Sequence, residues 1–345
     1  MVDEQERFID DLFLVAGCLY SFTMPELPEV TTISNQLRKE IKGFKIEEIS
    51  NFGAYRTEPE MAVLKKEVKG KEIYDVERVA KTIVIELKKE TPWDKESPSK
   101  DSAKEPSYIV IHLAMTGRLL LRDKGDKADP WTRLVFSLKK KSPLEPPLEQ
   151  RRLLVKELRF CDSRMFGFVK LLSGEQLVEH RKKYGLDALD PSLTPRKLLD
   201  NLRKKKTAVK RALLEQELIA GVGNIYANDS LWMAMIHPET LTSELTQVQA
   251  AALLRSLRKI LEESITHRGS TLGDKMYIDL YGREGTHQNH FRVFGKNGEP
   301  CPRCRTKIEF TEIGGRGTFF CPRCQVVRET GSKSPEEGLS QLKLV

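Results

Sequence analysis

The sequence predicts an α+β protein in three parts: a strand-rich amino-terminal half, a helical segment and a short cysteine-bearing ribbon. Three observations carry this. β-type runs recur between Ile46 and Leu172, helical periodicity returns after Gly174, and two C-x-x-C pairs stand near the end. With 345 residues the chain can hold two or three domains, each with its own core.

The first element is a helix from Glu29 to Gly43, where Val30, Ile33, Leu37 and Ile41 recur at helical spacing. Short strands follow at Thr82–Leu87, Tyr108–Leu113, Arg133–Leu138 and Phe166–Leu172, a pattern fitting a sandwich or a barrel. Two stretches rich in Pro, Ser and charge, Pro92–Ser107 and Lys139–Arg152, read as exposed mobile loops. Thr194-Pro195 is a helix start, an N-cap followed by proline at the first helical position. Thr246 with Gln249 makes a capping-box pattern, and Val248, Ala251, Leu254, Leu257 and Leu261 behind it predict a buried stripe. Strands return from about Phe291, and the polar tail after Cys324 is expected to be loose. These passes divide the chain into a tail at 1–23, a β domain at 24–173, a helical domain at 174–289, a ribbon at 290–326 and a loose tail at 327–345.

The formal net charge is +8, which favours a polyanionic partner, nucleic acid being the commonest. No apolar run is long enough to span a bilayer. Leu12 to Phe22 is apolar, and Val15 to Cys18 looks like a lipoprotein cleavage box. A signal peptide wants a basic start, however, and here Asp3, Glu4, Glu6, Asp10 and Asp11 face only Arg7, so export is not expected.

Of six cysteines, Cys18 and Cys161 stand alone. Cys301 and Cys304 are separated from Cys321 and Cys324 by 16 residues, so two tight turns can bring four thiolates onto one Zn²⁺. Four thiolates leave no open coordination position, so the ion is expected to be structural. The hairpin between the pairs offers Arg316 among glycines, aimed at a phosphate or a groove. Arg203–Arg211 holds six basic residues, Lys206 among them, and no acid. Ten residues later Gly221 and Gly223 precede a helix starting near Asn224, an arrangement suited to a phosphate.

Taken together, "MPELPEV", "HLAMTG", "KKTAVK", "GVGNIYA" and the four-cysteine ribbon closely resemble the bacterial formamidopyrimidine-DNA glycosylases, in consistent order from Met24 to Cys324. The resemblance implies a β-sandwich, a helical domain with a helix–two-turn–helix element, and a zinc ribbon. It also implies a base excision repair enzyme for oxidised purines in duplex DNA, 8-oxoguanine and formamidopyrimidines, that cuts the strand at the abasic site by β,δ-elimination. Such an enzyme works in the bacterial cytoplasm, at the nucleoid, as a monomer without a membrane partner.

Site roles follow from the same resemblance. Pro25 is the nucleophile through a free secondary amine, and Glu26 is the general acid on the sugar ring oxygen. Glu29 supports them. Lys81, Asn224 and Arg316 clamp phosphate, Lys81 and Arg316 belonging to the catalytic set, and Lys206 contacts DNA. Met115, Arg164 and Phe166 fill the gap left by the flipped base. Asp279–Phe291 is the loop that closes over that base, with Gly282 and Gly285 giving mobility; its His287 and His290 are read as loop surface rather than ligands. From strand periodicity alone, Met115 and Phe166 read as core. The chain departs from the family pattern at Ala114, Ser163 and Met165, which bears on the wedge, and in the tail at 1–23.

Three other readings compete. One is a DNA-binding homologue whose proline is blocked, another a glycosylase for oxidised pyrimidines, and the third a zinc-ribbon nucleic-acid module without lesion specificity. Leu27 stands where the pyrimidine branch tends to carry glycine, which favours purines. A proline nitrogen inside a peptide bond is an amide and cannot attack carbon. Translation is therefore expected to begin at Met24, with methionine removal leaving Pro25 first. Mass spectrometry of the native amino terminus should find Pro25 in active protein; an intact Met1 peptide in an active preparation contradicts it.

Overall fold

In the computed structural model of the chain, residues 24–88, 107–140 and 154–326 are described. The 1–23 tail, its apolar run, and nearly all of the two Pro- and Ser-rich stretches lie outside them.

A first helix, α1 (Leu27–Ile41), precedes two sheets. One sheet has the order β1 (Phe44–Asn51), β7 (Thr132–Lys140), β8 (Val155–Asp162), β6 (Gly117–Asp123), all antiparallel. The other has the order β2 (Thr57–Glu58), β9 (Phe168–Ser173), β5 (Ser107–His112), β4 (Thr82–Leu87), β3 (Ile73–Val79). Only its short β2–β9 pair is parallel. α2 (Met61–Val68) follows β2. Between the sheets lie Ile46, Ile83, Ile85, Ile109, Leu119, Phe136 and Phe160, a sandwich core.

The strand expected at Phe166 begins two residues later, at Phe168. Gly167 donates its N–H to Asp162 Oδ2 at 2.9 Å, closing a turn before the strand can start. A Cβ on Gly167 would meet His112 O at 2.7 Å and the Phe160 ring at 2.9 Å, so only glycine fits there.

The helical half comprises α3 (Gly174–Lys182), α4 (Pro195–Leu202), α5 (Val209–Leu214), α6 (Asn224–Met233) and α7 (Gln247–Thr266). Thr194 caps α4 by accepting from Lys197 N, and Thr246 with Gln249 forms a capping box on α7. The buried face of α7 is Ala250, Leu253, Leu254, Leu257, Ile260 and Leu261. Val248, expected in that stripe, is 77% exposed and Ala251 only half-buried. Ala250 in the same turn is fully buried, whereas Val248 lies about 200° around the helix from it, so a stripe built from three-residue steps had drifted off the buried face.

The chain ends in a hairpin, β10 (Glu309–Ile313) and β11 (Arg316–Phe320), flanked by the cysteine pairs. It packs through Ile308 and Phe319 into the helical core. α1 joins the halves. Leu27 belongs to the helical core, whereas Val30, Ile33, Leu37 and Ile41 belong to the sandwich. No helix among the described residues is long and apolar enough to cross a membrane.

Leu257 is fully buried. Leu257→Ala should destabilise by about 2–5 kcal/mol in denaturant melts, whereas Val248→Ala should stay within about 0.5 kcal/mol of the parent.

Candidate active site

α6 begins without a cap of its own. Gly223 occupies the N-cap position in extended conformation and has no side chain to offer. The missing acceptor comes from the other end of the molecule: Glu26 Oε1 accepts from Ile225 N at 3.0 Å. A carboxylate at a helix N-terminus meets free N–H groups and the positive end of the helix dipole. The glycines make this approach possible. A Cβ on Gly223 would lie 2.1 Å from the Glu26 carboxyl carbon, and one on Gly221 2.5 Å from the Leu27 side chain. The "GVGN" turn thus receives a protein carboxylate, where the sequence had pointed to a phosphate.

Glu29 completes the cradle. Its Oε2 accepts from Glu26 N at 2.9 Å and its Oε1 from Ser270 N at 2.8 Å. Oε1 also accepts from the Tyr226 hydroxyl, which touches Ser264 Oγ at 2.6 Å. Burial raises the pKa of Glu29. It also raises that of Glu26, to about 7; nearby Lys81 opposes the rise and Glu29 adds to it. Glu26 Oε2 is buried and makes no hydrogen bond within the protein, so the carboxyl has one committed oxygen and one free to carry a proton. Pro25 is buried immediately before it. In the full chain its nitrogen is the amide to Met24, so nucleophilic chemistry requires the chain to begin at Pro25.

Lys81 precedes β4, half-buried, within electrostatic reach of Glu26, Glu29 and Arg316. Burial lowers its pKa, the two glutamates counteract this, and Arg316 adds to the lowering.

Arg316 follows Gly314 and Gly315, both with positive φ, in a two-residue hairpin turn paired Ile313 to Arg316. Its position is set from beneath. Lys210 is fully buried and donates to Gly317 O and Thr318 Oγ1, each at 2.7 Å. Asn224 Nδ2 donates to the same Gly317 O at 3.2 Å. Asn224, expected on phosphate, also reaches the arginine turn. Burial lowers the Lys210 pKa to about 7. The basic run is not one helix. It leaves α4, turns through exposed Lys206, and enters α5.

The wedge residues stand on two loops joined by Asp162. Its Oδ1 accepts from Thr116 Oγ1 at 2.5 Å, and its Oδ2 from Gly167 N and the Tyr55 hydroxyl. Thr116 Oγ1 in turn accepts from Arg164 N. Met115 is half-buried on one loop. On the other, Arg164 lies over the Phe166 ring at 4.9 Å, and Phe166 is 56% exposed. The core reading of Phe166 from strand periodicity is therefore wrong, because the residue precedes β9.

The loop at Asp279–Phe291 is better anchored than its glycines implied. Buried Asp279 accepts from Tyr281 N, Arg283 N and Gln36 Nε2. Gly285 packs against Gly269, where a Cβ would lie 2.3 Å from the Gly269 oxygen. His287, expected on the surface, is 1% exposed.

The cysteines meet the stereochemistry of a metal. Cys301 and Cys324 sulfurs lie 3.9 Å apart, Cys304 and Cys321 sulfurs 3.4 Å, and all four lie within 4.8 Å of one another. Tetrahedral Zn–S bonds of about 2.3 Å put sulfurs about 3.8 Å apart. The four residues hold one structural zinc that locks the hairpin bearing Arg316.

Tyr226, Ser270, Lys210 and Asp162 escaped sequence reasoning. Tyr226 and Lys210 did lie inside conspicuous motifs, but nothing local showed their partners.

A buried carboxyl beside Pro25, an arginine-tipped hairpin and an exposed aromatic loop, on a chain of net charge +8, fit an enzyme that handles nucleic acid. Comparison with known proteins narrows this. Residues 24–169 match the formamidopyrimidine-DNA glycosylase N-terminal domain, residues 184–276 its H2TH domain, and residues 298–326 the zinc finger found in FPG and IleRS. A formamidopyrimidine-DNA glycosylase of Chloroflexus aggregans is 37% identical over 308 residues, covering 88% of this chain and 99% of its own. One from Chloroflexus aurantiacus is 36% identical, covering 89% and 99%. The Lactococcus lactis Fpg in complex with abasic-site DNA aligns with a TM-score of 0.71 at 31% identity, covering 87% of this chain and 99% of that one. The chain belongs to the formamidopyrimidine-DNA glycosylase family.

The step needs Glu26 protonated and the Pro25 amine neutral, and Glu26 loses its proton as pH rises through about 7. The profile of kcat/KM should be bell-shaped, and Glu26→Gln should remove activity rather than shift the alkaline limb.

Proposed function

We propose that this protein removes oxidised purines from duplex DNA and cuts the strand at the resulting abasic site. The observation carrying this is the Glu26 carboxyl, buried next to Pro25 with one oxygen held by α6 and the other unpartnered.

The damaged nucleotide leaves the stack at a cost of a few kcal/mol, and Met115, Arg164 and Phe166 fill the gap. Glu26 donates a proton to the deoxyribose ring oxygen as the Pro25 amine attacks C1′. The C1′–N bond to the base breaks, the departing base takes up the N–H proton of the attacking amine, and the ring-opened sugar is held as a Schiff base. Loss of a proton from C2′ expels the 3′ phosphate, and a second elimination expels the 5′ phosphate. Lys81 and Arg316 neutralise phosphate charge during these steps. Lys206 contributes to the basic face. Asn224 joins Lys81 and Arg316 on phosphate and also holds the arginine turn.

One chain carries every group named here, so a monomer suffices. The protein acts on the bacterial chromosome in the cytoplasm. A second reading, oxidised pyrimidines, has its own support: one solved relative, the Lactococcus lactis Fpg at 31% identity and TM-score 0.70, is in complex with an oxidised-pyrimidine DNA.

Protein beginning at Pro25 should form a covalent adduct with 8-oxoguanine duplex under borohydride, and protein retaining Met24 should not. An adduct preferentially with oxidised-pyrimidine duplex favours the second reading; no adduct with any lesion leaves only a DNA binder. Arg316→Ala should weaken lesion-duplex binding and flatten its salt dependence by about one unit of slope.

A further inference from the structure

A second group of metal-ligating side chains lies away from the cysteines. Glu263 and His267 are one helical turn apart at the carboxyl end of α7, so both project from one face. His290 enters the same space from a 3₁₀ turn at His287–His290. One donor atom from each of the three lies within 4.8 Å of the others, and all three side chains keep partial solvent access, so an ion can enter. The His267 and His290 rings are stacked with centroids 4.0 Å apart.

An independent observation marks the same place. His287 is 1% exposed, and neither ring nitrogen has a hydrogen-bond partner. A buried imidazole with two orphan nitrogens is unusual, since buried polar groups are nearly always satisfied. Its ring lies 6.1 Å from that of His267 and 6.0 Å from that of His290. Three histidines and a glutamate thus crowd the end of a helix, where its dipole favours positive charge.

The geometry points to a second metal site, formed by Glu263, His267 and His290, for a borderline divalent ion such as Zn²⁺. Two imidazoles and a carboxylate suit that class and not Mg²⁺ or Ca²⁺, which want oxygen ligands. Three protein ligands leave a coordination position to water or, after a side-chain rotation, to His287.

Arg292 competes for the site. Its Nη2 contacts both Glu263 oxygens, at 3.1 and 3.0 Å. A carboxylate has about four lone-pair positions, so one oxygen can turn to the ion while the other keeps the arginine. The repulsion limits affinity, so this ion is weaker and more exchangeable than the ribbon zinc.

The consequence lies in the chain between the ligands. His267 O accepts from Thr286 N at 2.9 Å, and Gly269 O accepts from His287 N at 3.0 Å, so α7 and the 3₁₀ turn form the stem of the segment at 270–286. That stem also holds Ser270, whose N–H serves Glu29. A bound ion would brace it.

The test is metal stoichiometry of the full chain. With Zn²⁺ in equilibrium dialysis, the protein should hold one tight ion and a second, weaker one. His267→Ala and His290→Ala should each weaken only the second. Each loss should match or exceed the roughly 10- to 100-fold that removing an outer-shell partner costs. Arg292→Gln should tighten it. In Co²⁺ titrations the second equivalent should show ligand-field absorption without the thiolate charge-transfer band of the ribbon. Saturation of the parent at one ion, or a second ion persisting in the His267→Ala/His290→Ala double variant, overturns the assignment.

Discussion

Two buried glutamates at the amino-terminal end set the terms for the rest of the molecule. Glu26 and Glu29 are each only 2% exposed. Carboxyl groups taken out of water must be hydrogen-bonded or neutralised. The partners that meet this need come from elsewhere in the chain: Ile225 N at the start of α6, Ser270 N after α7, and the Tyr226 hydroxyl within α6. The segment of Glu26 and Glu29 can therefore occupy its place only when the helical half is folded around it. α1 reinforces the dependence, with Leu27 in one core and Val30 in the other. Catalytic groups and the joint between domains are one construction.

The same economy places the basic groups. Lys210 lies inside a conspicuous run of positive charge, yet its ammonium is spent internally, on Gly317 O and Thr318 Oγ1. Asn224 reaches the same carbonyl. The zinc ribbon supplies the hairpin, and the helical domain supplies two donors beneath its turn, leaving Arg316 as the exposed member. In the sandwich Asp162 does the corresponding work. It ties the loop of Met115 to the loop of Arg164 and Phe166 through Thr116 and Gly167. That tie runs through none of the side chains of Ala114, Ser163 and Met165. Ala114 and Met165 take positive φ, of 50° and 55°, so the loops keep their turns without glycine.

Much of this was legible in the amino-acid sequence. Caps at Thr194 and Thr246 are local chemistry between residues three apart, and both are found as read. The strand at Thr82–Leu87 has the bounds read from its β-branched run. C-x-x-C spacing set the metal, because four thiolates at that separation have few other uses. Motifs near Pro25 and Gly221 marked the ends that would meet. They did not say that a glutamate, rather than a phosphate, would fill the glycine turn.

What the sequence determined by itself were features resting on neighbours along the chain: helix starts at Thr194 and Thr246, strand periods, and the ligand set of the ribbon. Tertiary structure alone decided the rest. Val248, apolar and three residues from Ala251, still faces water, because the neighbours of α7 cover the face that carries Ala250 and Leu254. Phe166 continues a strand pattern and still projects outward, because Asp162 closes a turn before the strand. His287 sits in a polar loop and is still buried, since that loop folds back on α7. For His287 the deciding contact joins residues far apart in the chain, and for Phe166 it is a side-chain turn that strand periodicity does not count; local periodicity holds no information about either.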